Sequence, residues 1–237
     1  MGEREASRFL SHLDQHAHVT ASTRSQAISA LQLLYREMLH QYFDWTEIAG
    51  RVKAPVQSRG ELTMDQMNRV LAGLSGSYWL MASLLYGTGM QLRECVRLRV
   101  MDVSIKRKEI VIRDGKGELV RRLKIPEELH QYLKAHMEEV LADHCEDMKS
   151  NWQGVYMPEI LQSEYPEAKK LLAWQYVFAA PRVPRDPFDD KIRRYHLDAR
   201  EFQRALENAA LEAGIDRGIS SCWLRTDDIA RPLFRAR

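Results

Sequence analysis

The sequence predicts a mostly α-helical protein of the α+β class, in which a small helical domain is joined by a linker to a larger domain containing a small antiparallel β-sheet. Apolar residues recur at helical spacing over most of the 237 residues. One segment near residue 110 instead alternates apolar and polar residues before a glycine turn and continues as a second strand, which is typical of a hairpin. A stretch near residue 55 contains proline and glycine without periodicity, which indicates a linker.

The charge is nearly balanced, with 35 Lys and Arg against 33 Asp and Glu and a net charge of +2. Any affinity for nucleic acid must therefore come from local clustering of basic residues. The longest apolar run, Trp79 to Tyr86, is far shorter than the roughly 20 residues that span a bilayer. Residues 2–8 are too polar for a signal peptide, so we expect no membrane partner.

The cysteines and histidines give no sign of a disulfide framework or a metal site. Cys95, Cys145 and Cys222 are odd in number and lack C-x-x-C spacing, which is typical of a protein from a reducing cytoplasm. His12 and His16 can share a helix face, but no third ligand lies near them in the sequence. We therefore expect a cytoplasmic protein without a bound metal.

Two amphipathic helices are predicted at the N-terminus, one over residues 3–16 and one after Val19-Thr20. Each places its apolar residues on one face. The inward positions are Ala6, Phe9, Leu10 and Leu13 in the first helix, and Ile28, Leu31, Leu34, Tyr35, Met38 and Leu39 in the second. We assign residues 1–53 to this first domain and residues 54–61 to the linker.

The second domain, residues 62–237, opens with a capping box. The Thr63 hydroxyl can accept from the amide of Gln66, whose side chain can reach back to the amide of Thr63. The buried run to Tyr86 ends in the turn Gly87–Gly89, and a new helix starts at once. The open N–H groups of such a helix suit a phosphate, although two glycines before a helix more often mark only a turn.

A hairpin and two further helices follow in the second domain. The predicted strands are Glu109–Arg113 and Val120–Ile125, separated by the turn Asp114–Gly117. A helix is predicted from Pro126 to about Met148, and another begins after the cap at Asp198. The inward positions are Leu129, Leu133, Met137, Val140 and Leu141 in the first of these helices, and Phe202, Ala205, Leu206, Ala209 and Leu211 in the second, which stops at Gly214.

The stretch LLYGTGM, followed by Glu94, LRL, Asp102 and the GKG hairpin, resembles the catalytic box of the tyrosine recombinase (phage integrase) family, in the form found in integron integrases. The segment TASTRSQAISALQLLYREML likewise resembles the last helices of the family's SAM-like core-binding domain. The resemblance implies a partial helical core-binding domain at residues 1–53 and a catalytic domain at residues 62–237.

The resemblance also implies a chemistry without metal or cofactor. In the family, a tyrosine hydroxyl attacks a DNA phosphodiester, while arginines, histidines and a lysine stabilise the phosphate and protonate the leaving oxygen. Lys116 matches the hairpin lysine and Arg225 the second arginine. Gln91 stands where the family has the first arginine, and Cys222 where it has a histidine. Arg93 could replace the lost arginine only if the helix turned, since it lies about 200° away.

The end of the sequence departs from the family. Residues 226–231 replace the expected histidine box, no tyrosine follows Tyr195, and the chain ends 12 residues after Arg225. The tail TDDIARPLFRAR reads like a shifted frame. We therefore expect a member truncated at both ends and inactive on its own. The alternatives are activity with a tyrosine supplied by a partner subunit, a helical interaction module, or a decayed gene product.

Residues 151–196 resemble the insertion that sets integron integrases apart, on the pieces SEYPEA, WQYVFA and DPFDDKIRRYHLD. In the family this region receives bases extruded from a folded single-stranded site. The residues carried over for this role are Trp174, Pro187, Tyr195 and His196, where Tyr195 replaces a usual histidine. Stacking suits that task because aromatic faces accept any base. The alternative for Trp174 is a place in the core.

The expected partners are double-stranded DNA and folded single-stranded recombination sites. The candidate phosphate contacts, chosen by clustering and family location, are Arg24, Arg51, Lys53, Lys116, Arg193 and Arg194. Each can instead be an ordinary solvated charge. The family assembles as a tetramer on DNA through an element at the far C-terminus, so we expect weak or absent self-association of this chain.

Overall fold

The computed structural model describes residues 2–16, 21–45, 62–114, 117–150, 152–157, 159–182, 192–215 and 218–224. The chain divides into two compact units, Met1–Ser58 and Arg59–Arg237. The predicted linker, residues 54–61, lies outside the described residues. The predicted domain boundaries stay predictions.

The first unit contains two helices, α1 (Glu3–His16) and α2 (Ala21–Leu33), and α2 continues as the π-helical turn Leu34–Met38. Its core forms around Tyr35, which is almost fully buried and whose hydroxyl donates to the carbonyl oxygen of Gly2 at 3.2 Å. The other buried apolar residues of this unit are Ala6, Leu10 and Ile28, and the ring of Tyr35 contacts those of Phe43 and Trp45.

The predicted inner face of the second helix is wrong beyond Tyr35. The amide of Leu39 donates to the carbonyl oxygen of Leu34 at 3.1 Å, which closes a π-type turn one residue wider than an α-helical turn. The wider turn changes the direction of the residues after it, so Met38 is 74% exposed and Leu39 is exposed as well. Phe9 of α1, also predicted to face inward, is exposed.

The second unit is mostly helical and encloses one large apolar core. Its helices are α3 (Met64–Ala72), α4 (Gly76–Thr88), α5 (Leu92–Val96), α6 (His130–Lys149), α7 (Glu159–Glu164) and α8 (Ala199–Glu212), with 3₁₀ turns at Val100–Asp102, Glu127–Leu129, Ala168–Lys170, Leu172–Trp174 and Ser221–Leu224. Helix α4 is buried over Leu80–Tyr86 and lies at the centre of this core. Among the described residues, no helix is long and apolar enough to cross a membrane.

A three-stranded antiparallel sheet lies between α5 and α6 in sequence, in the order β1 (Val103–Ser104), β2 (Glu109–Arg113) and β3 (Leu119–Lys124). The strand predicted at Glu109–Arg113 is confirmed, while its partner begins and ends one residue earlier than predicted. The short β1 was not predicted. Ile110 and Ile112 face the core, as the alternation in β2 predicts.

Two details of the predicted helices are wrong. Helix α6 begins at His130, because Pro126 precedes a 3₁₀ turn, Glu127–Leu129, instead of occupying the first α-helical position. Leu141 of α6 and Leu211 of α8 are exposed. Each lies one residue beyond a buried position, about 100° further round the helix, and therefore outside the apolar stripe.

The helix cap at Thr63 is confirmed, with hydrogen bonds of 3.2 and 3.0 Å between Thr63 and Gln66.

Candidate functional site

The turn between α4 and α5 is fixed by hydrogen bonds and by burial. Gly89 has φ of +68°, a left-handed conformation that favours glycine, and its amide donates to the carbonyl oxygen of Leu85 at 3.0 Å. The hydroxyl of Thr88 donates to the carbonyl oxygen of Leu84 at 2.7 Å and accepts from the amide of Met90 at 3.3 Å. Met90 is fully buried, so the next residue, Gln91, starts from a rigid position.

Gln91 is exposed and caps the short helix α5. Its amide donates to Oε2 of Glu94 at 2.7 Å, and Nη2 of Arg121 on β3 donates to the same oxygen at 2.8 Å. Sequence analysis suggested that the N–H groups at the start of this helix could bind a phosphate. The backbone amide of Gln91 instead donates to the carboxylate of Glu94. Arg93, which sequence analysis considered as a substitute for the family's first arginine, is an exposed residue of α5.

The other predicted catalytic positions are Lys116, Arg225 and Cys222. Lys116 and Arg225 fall outside the described residues. Cys222 is exposed in the 3₁₀ turn Ser221–Leu224, with its Sγ 2.5 Å from Oγ of Ser220. Leu224 is fully buried, and the turn packs against α4. The residue before Arg225 is therefore anchored to the core that holds Met90.

The described residues on either side of positions 115–116 are joined by hydrogen bonds. The amide of Gly117 donates to the carbonyl oxygen of Asp114 at 3.1 Å, and the amide of Glu118 donates to Oδ1 of Asp114 at 2.9 Å. Gly117 has φ of +88°, which favours glycine. Arg113 donates through Nε to Oδ1 of Asp102 at 2.6 Å and through Nη1 to the carbonyl oxygen of Gly117 at 3.1 Å.

The predicted insertion is attached to the core around Arg99. Its guanidinium lies over the ring of Tyr176, 3.6 Å from the ring centroid, and donates to the carbonyl oxygens of Trp174 at 2.7 Å and Tyr156 at 2.9 Å. Burial lowers the pKa of Arg99, while Tyr176 and Asp102 oppose the shift. Sequence analysis did not identify Arg99 as important, because nothing local marks its partners.

The predicted base-stacking residues are partly used inside the fold. Trp174 is half-buried and packs against a small cluster of Trp152, Val155 and Tyr176. His196 is half-buried and meets the ring of Tyr176 edge to face, with centroids 5.3 Å apart. Tyr195 is half-buried, and its carbonyl oxygen accepts from the amide of Ala180 at 2.8 Å. Pro187 lies outside the described residues.

The predicted phosphate contacts have different environments. Arg194 donates through Nε and Nη2 to the two carboxylate oxygens of Asp147, both at 2.5 Å, and through Nη1 to the carbonyl oxygen of Ala180 at 2.9 Å. These bonds to Asp147 raise the pKa of Arg194. Arg193 is buried, and Arg24 is a half-buried residue of α2. Arg51 and Lys53 lie outside the described residues.

A cavity of about 570 Å³ lies between α6 and residues 175–181 and is lined partly by His144. The ring of His144 meets that of Trp152 edge to face, with centroids 5.7 Å apart. Neither Nδ1 of His144 nor Nε1 of Trp152 has a hydrogen-bond partner in the described structure. Burial lowers the pKa of His144, and Asp147 opposes this shift. Over the same described ranges, no three His, Cys, Asp or Glu side chains are grouped as metal ligands.

The helices around a three-stranded sheet, with Thr88 and Met90 buried where α4 is followed by α5, have the fold of tyrosine recombinase catalytic domains. The Tn1549 transposon integrase, solved in complex with circular intermediate DNA, superposes with a TM-score of 0.57 at 12% identity over 95% of this chain and 70% of that one. A likeness at this identity shows the fold alone.

The family follows from the sequence comparison. The model of the phage integrase family matches residues 61–231, and the chain belongs to this family of tyrosine recombinases. Proteins named integrase/recombinase from Escherichia coli and Pseudomonas aeruginosa are each 35% identical over 225 residues, which cover 95% of this chain and 67% of theirs. Tyrosine recombinase XerA of Thermococcus kodakarensis is 30% identical over 139 residues, 56% of this chain and 47% of XerA. The chain thus spans about two thirds of the length of the integrase/recombinases.

Proposed function

We propose that this chain is a DNA-binding protein of the integron branch of the tyrosine recombinases, acting in DNA integration and site-specific recombination, and that it does not cleave DNA by itself. The observation that carries the proposal is the phage integrase match over residues 61–231. The resemblance in the LLYGTGM stretch then implies that Gln91 stands in place of the first arginine. The DNA held by the Tn1549 integrase, which shares the fold, supports DNA as the partner.

The loss of cleavage follows from the charge that the reaction requires. Negative charge builds on the non-bridging phosphate oxygens, and a guanidinium meets it with a fork of charged donors. Gln91 offers a neutral amide instead, and its own backbone N–H faces the carboxylate of Glu94. Removing one such preorganised donor typically reduces the rate by about 10²–10³. If Cys222 stands where the family has a histidine, as the resemblance implies, a second donor is missing from the same set.

DNA binding does not require the complete catalytic set, because basic side chains elsewhere on the surface can contact the phosphates. We place phosphate contacts at Arg24, Arg51, Lys53 and Lys116. We leave out Arg194 because its guanidinium is held by Asp147 and Ala180, and Arg193 because it is buried.

The assignment to the integron branch depends on the insertion. In this proposal, the solvent-accessible parts of the half-buried Trp174, Tyr195 and His196 receive unpaired bases, and Pro187 is assigned the same role. The half-exposed ring of Trp174 and the edge-to-face pair of His196 with Tyr176 support this assignment. Pairing with Tyr176 fixes the orientation of the His196 ring, which reduces the entropy lost when a base stacks on it.

Fluorescence anisotropy with three DNAs of equal length tests the binding proposal. A folded single-stranded recombination site should bind more tightly than an unrelated hairpin or duplex. Four phosphate contacts predict that the logarithm of the association constant falls with the logarithm of salt concentration with a slope of about −3 to −4. Equal and weak binding of all three DNAs at every salt concentration would remove the proposal.

A nicked substrate that traps covalent protein–DNA adducts tests the loss of cleavage. The purified chain should yield no adduct during an incubation in which an active tyrosine recombinase converts its own substrate. A labelled adduct formed by this chain alone would show that Gln91 and Cys222 still permit strand breakage.

A further inference from the structure

Arg121 of β3 is held at one end of its guanidinium by a mostly buried carboxylate. Its Nη2 donates to Oε2 of Glu94 at 2.8 Å, and the side chain of Arg121 is 38% exposed while that of Glu94 is only 18% exposed. Among the described residues, Glu94 is the one hydrogen-bond partner of this guanidinium. A guanidinium has five N–H donors, so most of the fork is available for a further acceptor.

The position of this guanidinium is fixed from both sides. Side chains alternate along β3, so Arg121 and Leu123 are half-buried while Arg122 is exposed on the opposite face. The oxygen of Glu94 that accepts from Arg121 also accepts from the backbone amide of Gln91 at 2.7 Å. The carboxylate is thus tied to the start of α5, and it holds the guanidinium beside the exposed Gln91.

The other arginines that pair with buried carboxylates use more of their donors inside the protein. Arg113 and Arg194 each bond a carboxylate and, in addition, a backbone carbonyl oxygen. Within the described part of the chain, Arg121 bonds no carbonyl oxygen. It therefore combines a fixed position with donors that are not used by the fold.

An anion with several oxygens fits this arrangement best. The planar fork of arginine matches the geometry of a phosphate, and charge-assisted hydrogen bonds of this kind are about twice as strong as neutral ones. Because Glu94 already orders the side chain, little conformational entropy is lost when the anion binds. Gln91 is neutral, so its side chain adds no charge that would repel the anion.

We propose that Arg121 binds a phosphate of DNA, with Glu94 holding its guanidinium in place. The inference rests on the proposed DNA binding and deepens it, because it adds a contact that sequence analysis did not identify. A phosphate contact carries no base sequence. Its contribution to affinity should therefore be the same for folded single-stranded DNA, an unrelated hairpin and a duplex.

Fluorescence anisotropy with these three DNAs tests the contact through Arg121→Gln. The matched control is Arg122→Gln, which removes the same charge from the opposite face of β3, where Arg122 makes only a pair with Glu109 at 3.6 Å. Arg121→Gln should weaken binding to all three DNAs about 10-fold. It should also reduce the magnitude of the salt slope by about 0.7–0.9. Arg122→Gln should weaken binding less than about 3-fold and leave the salt slope unchanged.

A double variant separates the contact from the effect of net charge. Glu94→Gln combined with Arg121→Gln has the same net charge as the wild type and leaves no carboxylate without its partner. It should still bind all three DNAs more weakly than the wild type, because the fork is missing. Wild-type affinity in the double variant would show that Arg121 acts only through net charge, and would overturn the proposed contact.

A surface variant keeps the test decisive if Arg121→Gln does not fold, as judged by circular dichroism. Gln91→Glu places a carboxylate beside the guanidinium, where it competes with a phosphate, and leaves the pair of Arg121 with Glu94 intact. Its control is Gln131→Glu, which adds the same charge at an exposed residue of α6. Gln91→Glu should weaken binding more than Gln131→Glu does, and equal losses would overturn the contact.

The remaining outcomes separate this inference from the proposed function. Equal effects of Arg121→Gln and Arg122→Gln would overturn the contact, while DNA binding by the wild type would still stand. A loss confined to the folded single-stranded site would mean that Arg121 contacts a base, and would overturn the assignment to a phosphate. A wild-type chain that binds none of the DNAs would instead contradict the proposed function.

Discussion

Removing one partner of the Asp147–Arg194 pair is expected to destabilise the second unit strongly. The side chains are 9% and 13% exposed, and two hydrogen bonds of 2.5 Å join them. Breaking a buried pair from one side leaves an uncompensated charge and costs about 3–5 kcal/mol. Asp147 lies in the last turn of α6, where the helix dipole disfavours a carboxylate by about 0.3–1 kcal/mol. Its loss should therefore cost less than the loss of Arg194.

We expect Asp147→Leu to reduce the free energy of unfolding by about 3 kcal/mol and Arg194→Met by about 4 kcal/mol. In a unit of this size, 3 kcal/mol corresponds to a fall in Tm of about 6–12 °C. The double variant should be more stable than either single variant, because no charge then remains buried without a partner. Urea denaturation followed by circular dichroism measures all three differences.

The same helix offers a matched control. Lys149 and Glu146 form an ion pair at 2.6 Å with side chains 69% and 72% exposed. Lys149→Met should change stability by only about 0–1 kcal/mol, because solvent already screens that pair. If Asp147→Leu costs no more than Lys149→Met, or if the losses at Asp147 and Arg194 are additive, the pair does not act as a buried unit and the argument fails.

Three further predictions concern stability and thiol chemistry. Thr63→Ala should reduce the free energy of unfolding by about 1 kcal/mol in urea denaturation, because it removes the cap of α3, whereas Thr63→Ser should retain most of it; equal losses would contradict the capping role. Burial lowers the pKa of His144, so the free energy of unfolding should decrease as pH falls from about 6.5 through the lowered pKa. His144→Gln should flatten this pH dependence in thermal melts, and an unchanged profile in the variant would contradict the role of His144. Burial raises the pKa of the Cys95 thiol, so a disulfide reagent at pH 8 should react with two thiols, Cys145 and Cys222, in the native chain. The third thiol should react only in denaturant, and three reactive thiols in the native chain would show that Cys95 is accessible.

Local features of the sequence were predictable because their causes lie within a few residues. The capping box needs only Thr63 and Gln66, and the strand Glu109–Arg113 needs only alternation beside a glycine turn. The fold class follows from the sum of such signals, and it is confirmed by the described helices and sheet. The π-type turn at Leu34–Met38 shows the limit, since one extra residue in a turn leaves no periodic signal but changes which side chains face inward.

Long-range pairs could not be predicted from the same signals. Arg194 is 47 residues from Asp147, and Arg99 is 77 residues from Tyr176. In the sequence, Arg194 follows Arg193 and looks like part of a basic cluster, which favours a phosphate contact. Periodicity reports which face of an element is apolar, but it does not report which distant carboxylate or ring meets a given arginine.

Two arginines at the attachments of the predicted insertion bond within the protein, which affects how much positive charge is available to contact DNA. Arg99 and Arg194 lie at the two attachments of the predicted insertion to the core, and each uses its guanidinium on the protein itself. Arginine suits both roles, because the fork that binds a phosphate also binds two carbonyl oxygens or one carboxylate. A count of basic residues therefore overestimates the charge available for DNA in this region. The proposed DNA binding must then depend on surface charge outside these attachments.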